Sequence, residues 1–270
     1  MRYRPVHLCL TRRRATVLFF ALGLFRALPN ANAALFPSSQ HPPDVVVMIH
    51  GAGGGGWEYD RWKPIFERAG WTVIAPDLLP AKGGLAKTSF ADYAAQVTHW
   101  IPKAHRRLVL VGASMGGVFA MKAAETAKPD ALILVNSVAP AGVGKTRSAP
   151  AYPSVIRWAH GPVQDTRNAL PDGDEETVQW VNPKWRDESG AVLNAVRKGV
   201  AVKPLKVSTL SILGANDHDV PSETGLALAK WAGADVQIYA RTSHIGPLYG
   251  RRATEIAEAA CRWLSLRLPR

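Results

Sequence analysis

Apolar and polar positions alternate along the chain with two periods, one typical of strands and one typical of helices. Short apolar runs rich in β-branched residues predict buried strands at 45–50, 71–76, 107–111, 131–138, 207–213 and 236–240. Apolar residues at helical spacing predict helices at 59–69, 90–101, 114–126, 188–198, 222–232 and 249–266. This succession predicts an α/β fold, with a mostly parallel sheet of about six strands and helices on both faces.

The regular succession is interrupted between residues 139 and 205. This stretch contains scattered prolines and Trp158, Trp180 and Trp185, and only its part around 188–198 has helical spacing. We interpret it as a small helical insertion into one domain, residues 34–270, rather than as a second domain. The tryptophans could line a pocket or simply pack the insertion onto the core, and the sequence does not separate these readings.

The first 33 residues have the order of basic, apolar and small residues that is typical of a secretory signal peptide. Arginines precede an apolar run at 15–25, no acidic residue occurs before Asp44, and small residues at Ala31 and Ala33 provide a cleavage site. We therefore expect export, to the periplasm or the medium, with residues 1–33 removed. The apolar run is short for a membrane span, but an uncleaved N-terminal anchor is the alternative. The arginine cluster at 12–14 leaves the general and the twin-arginine routes open.

Removal of this segment takes away six arginines and no acid, so the formal net charge falls from +12 to +6. The remaining basic residues are not interleaved with aromatics, so we expect no nucleic-acid partner. Cys261 would be the one remaining cysteine, at a position typical of a buried apolar residue. No cysteine and histidine cluster has zinc-ligand spacing, and we expect neither a metal nor an organic cofactor. We expect a monomer or a weak dimer without stable membrane insertion.

The candidate chemistry begins at a Gly-x-Ser-x-Gly pattern that follows the strand at 107–111. A serine on such a strand-to-helix turn has a strained backbone and an exposed hydroxyl. Gly112 and Gly116 suit the turn because Cβ atoms beside Ser114 would be crowded. Five-residue patterns of this kind recur by chance, so the serine needs partners elsewhere in the chain.

Two further polar groups end predicted strands on the same edge of the sheet. Asp217 follows the strand at 207–213, and His244 follows the strand at 236–240. His244 can take the hydroxyl proton of Ser114, and Asp217 can orient the imidazole. The oxyanion of the intermediate would be bound by the Met115 N–H and by an N–H of the first loop. We expect Ala52 to provide this second N–H, with Gly53 as the alternative.

These pieces together resemble the α/β-hydrolase superfamily over about residues 45–266. The matching segments are His50-Gly51-Ala52-Gly53 with Trp57, Ala75-Pro76-Asp77-Leu78, Gly112-Ala113-Ser114-Met115-Gly116-Gly117, Gly214-Ala215-Asn216-Asp217 with Val220-Pro221, and Ser243-His244. The resemblance implies a serine nucleophile, an acid, a histidine and a cap inserted where residues 139–205 fall. Residues 34–44 are too short and proline-rich for the usual leading strand pair. The glycine and tryptophan loop is similar to small esterases and hydroxynitrile lyases.

Several alternatives compete with these assignments. Asp219 could replace Asp217 as the acid, and His218 could be mistaken for the base. We interpret His50 as a support of its loop. The glycine run at 51–56, with Asp77 at the next strand end, also fits a dinucleotide-binding pattern.

We predict an exported serine hydrolase that cleaves an acyl bond, most simply a carboxylic ester of a small molecule. The alternatives are a hydroxynitrile-lyase-like enzyme on the same fold, a dinucleotide-binding protein and a non-catalytic ligand-binding protein.

Overall fold

A computed structural model describes residues 42–144 and 150–269. The proposed signal peptide, residues 1–33, lies outside the described residues. The strands are β1 Asp44–Ile49, β2 Thr72–Ile74, β3 Arg107–Ala113, β4 Ala131–Val135, β5 Val155–Ile156, β6 Glu188–Ser189, β7 Ser208–Gly214 and β8 Asp235–Tyr239. The helices are α1 Lys63–Arg68, α2 Phe90–Trp100, α3 Met115–Ala127, α4 Val163–Ala169, α5 Glu175–Val181, α6 Gly190–Lys198, α7 Ser222–Ala232, α8 Gly246–Tyr249 and α9 Ala253–Arg267.

Six of these strands form one parallel sheet, which confirms the predicted fold class. Their order is β2-β1-β3-β4-β7-β8, and every neighbouring pair is parallel. All residues of β1 and β4 are buried because helices cover both faces of the sheet. Ile49 pairs with Gly112 and Ala113 pairs with Val135, so the carboxyl ends of β1, β3 and β4 meet at one edge.

The apolar core lies in two layers, one on each side of the sheet. Alternate residues of β1 divide between them: Val46 and Met48 pack in the layer that contains α1 and α9. Val45 and Val47 pack in the layer that contains α2 and α3. This division follows from the two-residue period of a strand, which sends successive side chains to opposite faces.

Several predicted boundaries are wrong. The helix predicted at 59–69 is a 3-10 helix at Gly56–Tyr59 followed by α1, which begins beside Pro64. The helix predicted at 249–266 begins only at Ala253, because α8 ends at Tyr249 and Gly250 has extended backbone. The strand predicted at 131–138 stops at Val135, because Asn136 has φ +42°. The strand predicted at 71–76 covers only Thr72–Ile74.

The insertion between β4 and β7 contacts both layers of the core. Its antiparallel pair β5 and β6 precedes α6, whose buried Val192 and Val196 join the α2 and α3 layer. Leu170 and Val178, from the α4 and α5 region, join the opposite layer. Glu188 and Ser189 belong to β6 rather than to the helix predicted at 188–198. The Ser189 side chain instead caps α6 by accepting from the Val192 N–H.

No helix within residues 42–144 and 150–269 is both long enough and apolar enough to cross a bilayer.

The contact between α3 and β1 predicts that Gly116 tolerates no side chain. A Cβ on Gly116 would lie 2.1 Å from the Ile49 carbonyl oxygen, which belongs to a buried strand. Gly116→Ala should therefore lower the free energy of unfolding by about 2–3 kcal/mol, measured by urea denaturation. Gly161→Ala is the control, because its nearest atom, the Trp158 carbonyl oxygen, is 3.4 Å away. Equal stability of the two variants would contradict the described packing.

Candidate active site

Ser114 occupies the turn between β3 and α3 in a strained conformation. Its φ of 51° and ψ of −120° are unusual for a residue with a side chain. Three backbone hydrogen bonds hold this geometry. The Ser114 N–H donates to Val135 O at 2.9 Å, and its carbonyl accepts from Gly117 N at 3.1 Å and Val138 N at 3.2 Å. Its side chain makes no helix-capping bond, which leaves the hydroxyl to other partners.

The hydroxyl of Ser114 is the first group of a hydrogen-bonded chain. Ser114 Oγ lies 2.8 Å from His244 Nε2, and His244 Nδ1 lies 2.8 Å from Asp217 Oδ2. Because an ionised carboxylate only accepts, Nδ1 carries the proton and Nε2 accepts from the serine hydroxyl. The other oxygen of Asp217, Oδ1, accepts from the backbone N–H groups of Asp219 and Val220 at 2.9 and 2.8 Å. The buried Asp217 carboxylate is therefore fixed by the chain around it.

The structure thus brings together Ser114, His244 and Asp217. The side chains of the competing residues lie outside this hydrogen-bonded series. Asp219 contributes its backbone N–H, and His218 is exposed. Asp217, Asp219 and His244 offer ligand atoms within 4.8 Å of one another, the spacing that a metal ion requires. Both oxygens of Asp217 and both ring nitrogens of His244 are already hydrogen-bonded, so this group fits proton transfer better than metal binding.

The charge of the neighbouring acids makes His244 a stronger base than an ordinary histidine. Burial lowers its pKa, but the hydrogen bond and charge of Asp217, with smaller effects of Asp219 and Glu58, raise the pKa above 6.5 overall. Each negative charge stabilises the imidazolium that forms when the ring accepts a proton. This base is consequently suited to removing the proton of the serine hydroxyl.

Two residues that the sequence analysis did not identify hold the His244 loop. Asn136, directly after β4, donates through Nδ2 to the carbonyls of Ser243 at 3.1 Å and His244 at 2.7 Å. Its Oδ1 accepts from Gly214 N at 2.7 Å, which ties the ends of β4 and β7 together. Asp172, from the insertion, accepts from the Ser243 hydroxyl at 2.5 Å. The strand-end position of Asn136 could have identified it, whereas no pattern distinguishes Asp172.

The loop after β1 contributes backbone N–H groups beside Ser114. An ideal Cβ on Gly51 would lie 3.4 Å from Ser114 Cβ, so the loop is packed directly against the serine. The Gly51 N–H donates to Glu58 Oε2 at 2.9 Å, and the Gly53 N–H donates to Glu188 Oε2 at 3.0 Å. Gly53, the alternative oxyanion donor, is therefore occupied. Within the described parts of the chain, the N–H groups of Ala52 and Met115 donate to no protein acceptor.

His50 and Glu58 are buried titratable groups under this loop. Burial lowers the pKa of His50 to about 4, so the ring is neutral near pH 7. Its Nε2 accepts from Leu78 N at 2.8 Å, and its Nδ1–H donates to Gly51 O at 2.7 Å. His50 therefore supports the loop and has no free nitrogen for catalysis. Burial raises the pKa of Glu58 to about 7, although the Gly51 N–H and nearby cationic groups lower it.

The glycine run at 51–56 is lined by acids rather than shaped for a phosphate. Glutamate carboxylates accept from Gly51 and Gly53, and Asp77 Oδ1 accepts from the Gly56 N–H at 2.7 Å. The helix that follows is a four-residue 3-10 helix. A pyrophosphate here would meet like charge and amides that are already paired. These contacts argue against the dinucleotide-binding alternative.

The tryptophans of the insertion pack onto this region. Trp180 and Trp185 meet Trp57 edge-on, with ring centroids 6.1 and 5.6 Å away. The Trp158 ring lies against Gly53, since a Cβ there would fall 2.5 Å from it. These contacts fit packing of the insertion onto the core, although Trp158 and Trp180 are still 36% and 39% exposed. Cys261 is buried in the core and forms no disulfide within the described residues.

Comparison with known proteins assigns the family. Residues 46–259 match the model of the alpha/beta hydrolase family, so the chain belongs to this family. Salicylic acid-binding protein 2 of Nicotiana tabacum is 35% identical over 78 residues, which cover 27% of this chain and 30% of that protein. The pyrethroid hydrolase of Sphingobium wenxiniae is 36% identical over 76 residues, which cover 27% of each chain. The match spans less than a third of the length of these curated relatives.

Among solved structures, a pyrethroid hydrolase from Sphingobium faniae JZ-2 has the same fold. The two chains superpose with a TM-score of 0.64 at 22% identity, covering 84% of this chain and 98% of the other. This similarity shows the same fold over nearly the full length of that solved structure.

The buried carboxyl of Glu58 predicts a pH-dependent stability. Its pKa is raised on folding from 4.5 to about 7, so the folded protein binds more protons than the unfolded chain between these values. The contribution of Glu58 to stability therefore falls as the pH rises through this window. Glu58→Gln keeps an acceptor for Gly51 and should gain stability relative to the parent, by roughly 2–3 kcal/mol, between pH 5 and 8.

The measurement is urea denaturation of parent and variant across that range. The same substitution at Glu67, exposed on α1, controls for the loss of one carboxylate. A stability difference between Glu58→Gln and parent that does not change with pH would contradict a raised pKa for Glu58.

Proposed function

We propose that this chain is a serine esterase that hydrolyses a carboxylic ester of a small molecule through an acyl-enzyme intermediate. The observation that carries the proposal is the 2.8 Å contact between Ser114 Oγ and His244 Nε2, with Asp217 on the opposite ring nitrogen. The names of the relatives support hydrolysis, because two of them are named pyrethroid hydrolases. The groups assembled at the site also suffice for this chemistry without a metal or an organic cofactor.

In the acylation step, Ser114 Oγ attacks the carbonyl carbon of the ester. The hydroxyl proton moves to His244 Nε2, and the π electrons of the carbonyl move to its oxygen, which becomes an oxyanion. Asp217 stabilises the imidazolium that results. The bond between the carbonyl carbon and the alcohol oxygen then breaks, and the departing oxygen takes the proton from His244 Nε2. Acyl-Ser114 and a free alcohol remain.

Deacylation repeats these events with water as the nucleophile. His244 Nε2 removes a proton from water, whose oxygen attacks the acyl carbon and forms a second oxyanion. Collapse breaks the bond to Ser114 Oγ, which recovers its proton from His244, and the carboxylic acid leaves. The enzyme returns to its starting protonation state, so one ester and one water give one acid and one alcohol.

The oxyanion of both intermediates would be bound by the N–H groups of Met115 and Ala52. Met115 is the first residue of α3, so its N–H lies at the positive end of a 13-residue helix. Ala52 lies in the loop that packs against Ser114. Both N–H groups are unpaired within the described residues, which leaves them for the substrate oxygen.

The test is a panel of p-nitrophenyl esters of increasing acyl length, with the parent protein and Ser114→Ala. The parent should turn over at least one ester and react with a fluorophosphonate probe. Ser114→Ala should lose at least about 10³-fold in kcat and all probe labelling, because no other group can form the acyl-enzyme. Equal labelling of the two proteins would contradict the nucleophile. No turnover of any ester would favour the lyase or ligand-binding alternatives.

The pH dependence of kcat/KM separates the two candidate acids. Asp219→Asn removes a charge that raises the His244 pKa, so the acid limb of the profile should move to lower pH with little change in the plateau. Asp217→Asn removes the acceptor of the Nδ1 proton and should lower the plateau by about 10³–10⁴-fold. Similar losses in both variants would contradict the assignment of Asp217.

We propose in addition that the protein is exported and that its mature form begins at Ala34. The support is the order of basic, apolar and small residues in positions 1–33. Expression of the full chain, followed by fractionation and N-terminal mass spectrometry, should find a product beginning at Ala34 outside the cytoplasm. An intact N-terminus in the membrane fraction would instead support an uncleaved anchor.

A further inference from the structure

The insertion holds the loop that carries Ala52 through a buried carboxylate, that of Glu188. Glu188 is 3% exposed and lies in β6, 135 residues from the loop that it contacts. Its Oε2 accepts from the Gly53 N–H at 3.0 Å. Its Oε1 accepts from the Tyr93 hydroxyl at 3.0 Å and from its neighbour Ser189 N at 2.7 Å. Both oxygens thus accept hydrogen bonds, and every partner is a donor.

Arg186, which lies two residues before Glu188 in the insertion, binds the same loop. Its backbone N–H donates to Gly53 O at 2.8 Å, and its Nε donates to Gly54 O at 2.6 Å. Both backbone polar groups of Gly53 are therefore bound by the insertion. Gly53 has φ +66°, a conformation that glycine adopts readily and other residues adopt rarely. The insertion consequently fixes the peptide planes on either side of Gly53.

On the other side of Ala52, Glu58 binds the N–H of Gly51. Two buried carboxylates therefore occupy the two N–H groups that flank Ala52, and the Ala52 N–H alone is unpaired in this stretch. A backbone rotation that exchanged the roles of these amides would leave a buried carboxylate without its donor, which is costly. These hydrogen bonds leave the N–H of Ala52, and not those of Gly51 and Gly53, available to a ligand.

We propose that Glu188 is a positioning residue of the oxyanion site, which holds the Gly53 amide away from the substrate and so presents the Ala52 N–H beside Ser114. This inference rests on the proposed serine esterase function. Glu188 does not touch the substrate in this account and acts through the loop. The insertion accordingly contributes to the rate of the chemical steps.

The test uses Glu188→Gln, which keeps the shape of the side chain but has a single acceptor oxygen. Its amide NH₂ must face either the Gly53 N–H or the donors of Tyr93 and Ser189, so one set of hydrogen bonds is replaced by a donor–donor conflict. We expect kcat for the best p-nitrophenyl ester to fall roughly 10- to 100-fold, with KM within about threefold, because a small displacement of an oxyanion donor affects mainly the transition state.

A second readout isolates the oxyanion itself. Ser114 Oγ adds to the carbonyl carbon of a trifluoromethyl ketone, the hydroxyl proton passes to His244, and the former carbonyl oxygen becomes an oxyanion. The matching trifluoromethyl carbinol fills the same space but forms no adduct. Glu188→Gln should raise the Kd of the ketone by the same factor as it lowers kcat, and leave the Kd of the carbinol within about twofold of the parent.

Two further variants complete the experiment. Tyr93→Phe removes one donor to Glu188 and should change the same two quantities in the same direction, roughly threefold. If Glu188→Gln does not fold by circular dichroism, Tyr93→Phe decides by the same criteria. Glu67→Gln, at an exposed position on α1, should leave kcat, KM and both dissociation constants unchanged.

The outcomes separate this inference from the function on which it rests. Unchanged kcat and ketone affinity in Glu188→Gln, or equal losses for ketone and carbinol, would overturn the positioning role. If the parent itself neither hydrolyses esters nor requires Ser114 for adduct formation, the proposed function fails instead. Ser114→Ala is therefore measured in the same series.

Discussion

The strained turn at Ser114 is the constraint on which the rest of the site depends. A residue with φ +51° is retained only where its surroundings hold it, and here the carbonyl of Val135 and the start of α3 do so. The turn also requires α3 to approach the sheet closely, which the absence of side chains at Gly112, Gly116 and Gly117 allows. The parallel sheet then brings the ends of β7 and β8 to the same edge, where Asp217 and His244 reach the serine.

The insertion is bonded to both sides of this edge rather than simply covering it. On one side, Asp172 binds Ser243 next to His244. On the other side, Arg186 and Glu188 bind the loop that contains Ala52. The base and the proposed oxyanion donor are thus both supported by the same inserted segment. Substitutions in this segment would therefore alter the geometry of the reacting groups.

The fold and three residues of the candidate site could be predicted from the sequence, but the residues that support the site could not. The order of strands and helices was enough for the six-stranded parallel sheet, because short apolar runs such as 45–50 and 131–135 are typical of strands buried on both faces. Strand-end placement pointed to Ser114, Asp217 and His244, which the structure places within hydrogen-bond distance, while their catalytic roles stay a prediction. Glu188 and Asp172 could not be foreseen, because their partners lie far along the chain and no local period marks them.

The proposed esterase function requires that Ser114 becomes acylated by an ester during turnover. The most direct measurement is acid quenching of the protein during turnover of a p-nitrophenyl ester, followed by proteolysis and mass spectrometry of the peptides. If Ser114 is the nucleophile, the peptide containing Ser114 gains the mass of the acyl group, with no such gain in Ser114→Ala. Turnover with an acyl group on a different residue, or with no acylated peptide and an unchanged rate in Ser114→Ala, would contradict it.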